Sequence, residues 1–172
     1  MLRHRVSDQF TDNYLVIHVG GVPCGLAVLK IREILHLRQL SPLPGVPRYV
    51  RGVLSLRGRP VPVLDLRVRL DLPAEFTNHT CIVVAALTLS PDSILELGLI
   101  VDAVGDVVSV SGLPLDLGAL TGFAIAETCV LGRVTVAGQT ITLFDLDRLV
   151  DRDLALELAH HSSPVGAALP VS

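Results

Sequence analysis

A chain of 172 residues with a formal net charge of −3 is long enough for one domain, or for two small domains that pack closely. The negative charge and the 3% of aromatic residues, with no Trp, exclude the basic, base-stacking surface typical of nucleic-acid-binding proteins. Half of the residues are hydrophobic, so Val, Leu, Ile and Ala can fill a sizeable core.

The first ten residues lack the apolar region of a secretion signal, and the longest apolar runs are too short to span a bilayer. Cys24, Cys81 and Cys129 are odd in number and widely spaced, and each lies in an apolar, strand-like run. We expect three buried free thiols rather than metal ligands or a disulfide. A soluble, cytoplasmic protein without direct membrane insertion follows from these features.

The first half of the chain has the pattern of short strands separated by turn residues. The segment around Ile31 and Ile34 also fits one face of a helix, but its valine-rich counterpart at 103–110 favours a strand. After a polar, loose arm at 1–12, we predict strands over 14–19, 22–28 and 29–37 and a hairpin over 50–64.

The hairpin over 50–64 is the most distinctive feature of the chain. Its turn contains Arg57 and Gly58, and the glycine is free to adopt a positive φ. Pro60 and Pro62 lie two residues apart in its second strand, a pattern typical of an edge strand rather than a central one.

The second half repeats the first. A shift of 80 positions aligns the hairpin with 130–144, and a shift of 73 aligns 25–35 with 98–108. Two strand-rich units in the same order indicate an internal duplication. Arg57 aligns with Ala137, so the hairpin does not need the arginine. We predict second-half strands over 81–89, 94–101, 104–110, 128–136 and 139–144, an excursion over 111–126, a helix over 147–159 and a disordered tail from His160.

Many short strands with regular turns and little helix predict an all-β fold, and the duplication predicts two small five-stranded barrels. We place the domain at 13–152, with the first barrel at about 13–79 and the second at about 80–152. The end of a C-terminal helix and a flexible tail are expected at 153–172.

No group of residues predicts a catalytic centre. Asp65 and Asp145 occupy equivalent places in different repeats, so helix capping explains them better than shared acid–base chemistry. His160 and His161 lie in the predicted tail, and the other histidines have no zinc-site spacing. Phosphate-binding and hydrolase-elbow motifs are absent. We therefore predict no enzymatic activity, no cofactor and no bound metal.

Several motifs, taken in order, resemble the CheW-like chemotaxis coupling proteins over about 13–150. They are Ile31-Arg32-Glu33-Ile34, Pro44-Gly45-Val46-Pro47, Leu56-Arg57-Gly58, Pro62-Val63-Leu64-Asp65-Leu66, the stretch 98–108 and Leu143-Phe144-Asp145-Leu146. One departure is Ser55, where the family usually has Asn, although serine can still hydrogen-bond locally.

The resemblance implies two SH3-like five-stranded barrels and a non-enzymatic adaptor in chemotaxis signal transduction. Its implied partners are the regulatory domain of a CheA-type histidine kinase, packed on a barrel, and the helical cytoplasmic tip of methyl-accepting chemoreceptors, docked in the groove between the barrels. No nucleic acid is implied. By motif position, the implied partner-binding residues are Ile31, Glu33, Arg57, Gly58 and Val101.

Two other interpretations stay open. A CheW-like paralogue of a non-flagellar motility or developmental pathway would have the same motifs. A small ligand-binding or hydrolytic β-barrel protein would instead need a deep pocket with converging polar groups. Glu33 and Arg57 also fit the ordinary alternative of solvated surface charges that contact nothing within the chain.

Overall fold

The computed structural model describes residues 12–117 and 129–162, and its secondary structure is mostly β-strand. The strands are β1 Asn13–Val19, β2 Val22–Ala27, β3 Ile31–His36, β4 Val50–Leu56, β5 Arg59–Asp65, β6 Cys81–Ser90, β7 Ser93–Val101, β8 Ala103–Ser109, β9 Val130–Val136 and β10 Gln139–Phe144. The helices are α1 Leu66–Arg69 and α2 Arg152–Ser162, and short 3-10 turns span Val28–Lys30 and Leu146–Arg148.

The strands form two five-stranded sheets within these residues, as the predicted all-β fold requires. Sheet A has the order β8-β1-β2-β10-β9, and sheet B has the order β3-β6-β7-β5-β4. The predicted division into one barrel at 13–79 and another at 80–152 is wrong. Each repeat contributes its first two strands to one sheet and its last three to the other. Internal similarity shows which strands are equivalent, but it does not show which of two equivalent partners a strand pairs with.

The duplication extends to backbone geometry. In the turn between β4 and β5, Arg57 and Gly58 have φ of 51° and 76°, and Ala137 and Gly138 between β9 and β10 have 49° and 81°. Two consecutive positive φ values are typical of the type I′ turn that suits a tight hairpin. Each hairpin also forms an isolated bridge with a preceding loop, Ser41 to Val53 in one repeat and Asp116 to Arg133 in the other. These bridges cover the exposed edges of β4 and β9.

A shared apolar core joins the two sheets and receives α2. Strand β6 shows how the sequence builds it, since its side chains alternate between two apolar environments. Val83, Ala85 and Leu87 point into the shared core, whereas Ile82 and Val84 point into a smaller core inside sheet B. A strand that is buried on both faces has a continuous apolar run, which explains the sequence of β6.

Two local predictions need correction. Strand β5 is not an edge strand, because it lies between β4 and β7. Its pairing with β7 begins at Val63, beyond Pro60 and Pro62, so the prolines do not interrupt that ladder. The helix near the C-terminus begins at Arg152 and continues to Ser162, so His160 is helical. Residues 1–11 of the predicted arm at 1–12, residues 118–126 of the predicted excursion at 111–126 and residues 163–172 of the predicted tail lie outside the described residues.

The three cysteines are buried thiols that form no disulfide, as predicted. Burial raises the pKa of the Cys24 thiol to about 12, with a smaller contribution from the nearby Cys129. The other two thiols also have raised pKa values, chiefly because of burial. Among the described residues, no three His, Cys, Asp or Glu side chains are grouped to hold a metal ion. No helix in this part of the chain is long and apolar enough to cross a bilayer.

Candidate functional site

Strand β3 lies at the edge of sheet B and divides its side chains between two faces. Leu35 is buried in the small core inside sheet B, and Glu33 points to the same side. Ile34 and His36 are exposed on the opposite side. The strand therefore presents one group of residues at the end of the barrel and a different group on its outer surface.

Glu33 and Arg57 form a two-pronged ion pair. Arg57 donates from Nη1 to Glu33 Oε2 over 2.8 Å and from Nη2 to Glu33 Oε1 over 3.1 Å. The alternative interpretation of two solvated charges that contact nothing within the chain therefore does not fit this structure. Strands β3 and β4 are the two opposite edges of sheet B, and curvature brings the turn after β4 back to β3. The pair thus links the two ends of the sheet while 69% of the Arg57 side chain remains exposed.

The remaining predicted site residues differ in accessibility. Gly58 is open, since an added Cβ would meet nothing within 4 Å, and its role is to supply the positive φ of the turn. Ile31 is partly buried and packs against the shared core. Val101 is completely buried at the end of β7. Its predicted role as a direct partner contact does not fit this structure, because the apolar run that ends β7 faces the core on both sides.

A cleft of about 320 Å³ lies between β3 and β8, which are equivalent strands of the two repeats. In the described part of the chain, both are edge strands, so neither has a sheet neighbour on its outer side. The segment before β6 forms the remaining wall. The lining residues are Ile34, Leu35, His36, Asn78, His79, Thr80, Cys81, Ala103 and Val104. This arrangement can bind an apolar or amphipathic surface, but it does not place an acid and a base around a common point.

Arg67 in α1 is a completely buried arginine. It donates from Nε and Nη2 to the two oxygens of Asp65, over 2.9 and 3.0 Å. It also donates from Nη1 to the Glu75 carbonyl oxygen over 2.6 Å and to Asp102 Oδ1 over 3.0 Å. The ring of Phe76 lies 5.0 Å from the guanidinium carbon, a distance that allows a cation–π interaction.

The charge of Arg67 is stable in this environment. Burial alone lowers the pKa of a guanidinium, but the hydrogen bonds and charges of Asp65 and Asp102 outweigh it and raise the pKa of Arg67. Asp65 also accepts hydrogen bonds from the backbone amides of Arg67 and Val68. The prediction that Asp65 and Asp145 cap short helical turns is therefore confirmed for both residues.

Sequence reasoning missed the Arg67 cluster. The available signal was a charged residue two positions after Asp65, at the start of a four-residue helix in which arginine alternates with apolar residues. That signal is weak, because an arginine in such a position usually lies in solvent. Asp102 and Glu75, which complete the cluster, are 35 and 8 residues away from Arg67 in sequence.

Comparisons with known proteins agree with this architecture. The family model of the CheW-like domain matches residues 13–154. The chain is 36% identical over 100 residues to the chemotaxis protein CheW of Bacillus subtilis (strain 168), and this match covers 58% of the chain but only 61% of that protein. It is 28% identical over 133 residues to the chemotaxis protein CheW of Rhizobium meliloti (strain 1021), covering 77% of the chain and 83% of that protein.

A solved structure supports the fold independently. The crystal structure of the scaffolding protein TtCheW from Thermoanaerobacter tengcongensis is similar with a TM-score of 0.71 at 22% identity. The superposition covers 83% of this chain and 89% of that one. The family model spans both sheets and reaches the first residues of α2, beyond the predicted limit at 152. Because that match includes most of the chain and the fold agrees, this protein belongs to the CheW-like family.

Proposed function

We propose that this protein is a non-enzymatic adaptor that couples methyl-accepting chemoreceptors to a CheA-type histidine kinase in chemotaxis. The observation that carries the proposal is the cleft between the edge strands β3 and β8. Ile34, with 47% of its surface exposed, and the partly buried Val104 place apolar groups on the lining of the cleft. An amphipathic helix can bury its apolar face in such a groove. The proposed occupant is the helical cytoplasmic tip of a chemoreceptor, which places the adaptor in the cytoplasm beside the membrane.

The Glu33–Arg57 pair supports a second, separate contact. It lies on the other face of β3 from the exposed cleft residues Ile34 and His36, at the end of sheet B. Arg57 keeps most of its surface, and a guanidinium still has donors available after a carboxylate has bound two of them. We assign the kinase regulatory domain to this end of sheet B. For a transient contact of this kind we expect micromolar affinity, about −8 kcal/mol.

The first test compares Arg57→Ala and Glu33→Ala with Arg148→Ala in a reconstituted receptor–kinase assembly. Arg148 is a suitable control, because 63% of its side chain is exposed and it also pairs with a carboxylate, Asp145. We expect the first two variants to melt near the wild type, since an exposed ion pair contributes only about 0–1 kcal/mol. They should nevertheless fail to activate the kinase, whereas Arg148→Ala should activate it normally.

A charge exchange separates recognition from folding. The double variant Glu33→Arg with Arg57→Glu can form the same ion pair with the charges reversed. If the pair only closes sheet B, the double variant restores activation that the single changes remove. We expect no restoration, because a partner that recognises these charges meets the wrong sign at each position. Restored activation, or normal activation by both single alanine variants, contradicts the assignment.

The cleft is tested with Ile34→Asp and Val104→Asp. Each change places a carboxylate on the lining of the cleft. Ile34 is exposed, whereas Val104 also packs against the shared core, so a thermal melt first checks that Val104→Asp is folded. We expect binding of a purified cytoplasmic chemoreceptor fragment to fall at least about tenfold, or 1.4 kcal/mol, with kinase-domain binding retained. Unchanged receptor-fragment binding in both variants would show that this cleft is not the docking site.

A further inference from the structure

We propose that Arg67 is a positioning residue for the cleft, because it holds two of the cleft walls at a fixed separation from inside the protein. The side-chain hydrogen bonds of Arg67 go to Asp65, Glu75 and Asp102, none of which lines the cleft. Its effect passes through Glu75 and Asp102, each of which leads directly to residues that line the cleft. The identity of the occupant rests on the proposed function, whereas the control of the walls does not.

The first wall is the segment 78–80, and it is connected to Arg67 through one carbonyl group. The Glu75 carbonyl oxygen accepts from Arg67 Nη1 and also from the hydroxyl of Thr80, over 3.5 Å. The same hydroxyl accepts from the backbone amide of Thr77 over 2.9 Å. Thr80 is 4% exposed and lines the cleft. Phe76, next to Glu75 in the same chain segment, also contacts Arg67, since its ring lies 5.0 Å from the guanidinium carbon.

The second wall is the beginning of β8, and it is connected to Arg67 through Asp102. Arg67 Nη1 donates to Asp102 Oδ1, and the backbone amide of Asp102 donates to the His18 carbonyl oxygen over 2.9 Å. The next two residues, Ala103 and Val104, line the cleft. A movement of the Asp102 side chain therefore shifts the wall that begins one residue later.

Arg67 can fix the positions of Glu75 and Asp102 because its own guanidinium is held in place. Its guanidinium grips both oxygens of Asp65, and Arg67 and Asp65 are 0% and 1% exposed. The third wall, β3, is held independently, since Ile34 and His36 pair with Val83 and Cys81 of β6. Loss of Arg67 contacts thus loosens two walls and leaves the third in place, which changes the width of the cleft.

The consequence for binding follows from the geometry of packed surfaces. A groove binds a rigid helix well only if its walls stay in place before the helix arrives, since ordering them on binding weakens affinity. Contacts at the Glu33–Arg57 end of sheet B do not depend on these walls. Arg67 should therefore affect cleft binding selectively.

The experiment uses three variants and one matched control. Asp102→Asn weakens the connection to the second wall, and Phe76→Leu weakens the connection to the first. Arg67→Lys keeps the charge but cannot reach all of its acceptors, and the first two variants suffice if it does not fold. The control is Asp147→Asn, which weakens a carboxylate–lysine pair with Lys30 at the corresponding junction of the other repeat. Neither residue of that pair lines the cleft.

The first readout needs no partner. Hydrogen exchange of the full chain should be about fivefold faster at amides in 76–80 for Phe76→Leu, and in 103–105 for Asp102→Asn. Arg67→Lys should accelerate both segments, whereas β3 keeps its wild-type protection in every variant. Asp147→Asn should leave both segments unchanged. Wild-type exchange in the wall segments of Asp102→Asn and Phe76→Leu would overturn the proposal.

The second readout compares two affinities on the same samples. Binding of the cytoplasmic chemoreceptor fragment should fall about three- to tenfold in Asp102→Asn and Phe76→Leu, while kinase-domain affinity stays within twofold of the wild type. Parallel loss of both affinities would indicate a general structural role and reject selective positioning. If the wild type binds no receptor fragment, the proposed function fails, and hydrogen exchange still decides whether Arg67 positions the walls.

Discussion

Both repeats have an ion pair where the chain follows its capping aspartate, but the charges of the two paired residues are exchanged between the repeats. In the first repeat, Arg67 follows the capping Asp65 by two residues and meets Asp102 in the link before β8. In the second, Asp147 follows the capping Asp145 by two residues and meets Lys30, in the turn before β3, over 3.0 Å. Each junction thus joins the two sheets through one cation and one carboxylate. The cation follows the capping aspartate in the first junction, whereas the carboxylate follows it in the second.

The carboxylates also share a second function. Asp102 accepts a backbone hydrogen bond from Gly21 in the turn between β1 and β2, over 3.3 Å. Asp147 accepts one from Thr88 near the end of β6, over 2.7 Å. Strands β1 and β6 are equivalent, so both junctions fasten the same hairpin of their respective repeats.

The junctions differ mainly in solvent exposure. The Arg67 side chain is 0% exposed, whereas those of Lys30 and Asp147 are 30% and 34% exposed. A buried guanidinium has to satisfy its donors inside the protein, and the segment through Glu75 and Phe76 supplies the additional contacts. Lys30 remains near water and can complete its hydrogen bonding there. Equivalent positions thus carry the same link at very different solvent exposure, and we expect the two links to differ in their contribution to the free energy of unfolding.

The largest expected effect is that of Arg67→Met at pH 7. This change leaves the buried carboxylate of Asp65 without its cation, and removal of one member of a buried pair costs about 3–5 kcal/mol. Urea unfolding followed by circular dichroism measures the loss. The control Arg148→Met, in an exposed pair, should lose no more than about 0.5 kcal/mol. Similar losses in the two variants would remove the distinction between buried and exposed arginines.

The shared core offers a second contrast, since Cys24 in β2 aligns with Leu97 in β7 and both are completely buried. The Cys24 pKa is 9.0 when unfolded and about 12 in the fold, so only the unfolded chain loses this proton between those values. The contribution of the Cys24 thiol to the free energy of unfolding is fully present below pH 9. It decreases as the pH rises, by about 1.4 kcal/mol at pH 10. Urea unfolding at pH 8 and 10 should show the gap between wild type and Cys24→Ala narrowing by this amount.

A wild-type stability that falls no faster than that of Cys24→Ala would contradict the pKa difference. Unfolding in the presence of a thiol reagent provides a further check, since denaturation should expose three reactive thiols per chain. A native disulfide or a stoichiometric metal would overturn the structural role of the cysteines.

The Lys30–Asp147 junction should contribute less to the free energy of unfolding than the buried Arg67 junction. We expect a double-mutant cycle with Asp147→Ala and Lys30→Ala to give a coupling of about 0.2–1 kcal/mol, as for other partly exposed ion pairs. Since solvent reaches both groups, the coupling should shrink in 1 M NaCl. A coupling that exceeds the loss in Arg67→Met would reverse the ranking of the two junctions.

The smallest change in the free energy of unfolding at pH 7, within about 0.5 kcal/mol, is expected for Asp145→Asn, because asparagine also caps a helix. Burial raises the pKa of Asp145 above 3.8, so the folded state takes up this proton at a higher pH than the unfolded chain. The wild type should therefore gain stability relative to Asp145→Asn as the pH falls through the folded pKa toward 3.8. Urea unfolding at pH 7, 5 and 4 measures the trend, and a relative loss on acidification would contradict it.

Local sequence determined the elements and the duplication. Alternating apolar residues and turn glycines predicted the strands, and the two aligned hairpins share positive φ at Arg57 and Ala137. Asp65 and Asp145 were predictable as caps, because the acceptor and its amides lie within three residues. The buried thiols were also predictable, since each lies within an apolar run. These features depend on neighbours in sequence, so the sequence contains the information directly.

Only the tertiary structure decided the strand exchange between repeats, the interior position of β5 and the contacts of the charged residues. Equivalent strands have equivalent patterns, so local signals cannot choose between the two possible sheets for each strand. Glu33 meets Arg57 because sheet B curves, and Arg67 reaches Asp102 because β7 ends beside α1. Val101 is buried because the end of β7 packs into the shared core, although its motif position suggested a contact surface. Such long-range encounters set burial and charge pairing, and with them the cleft.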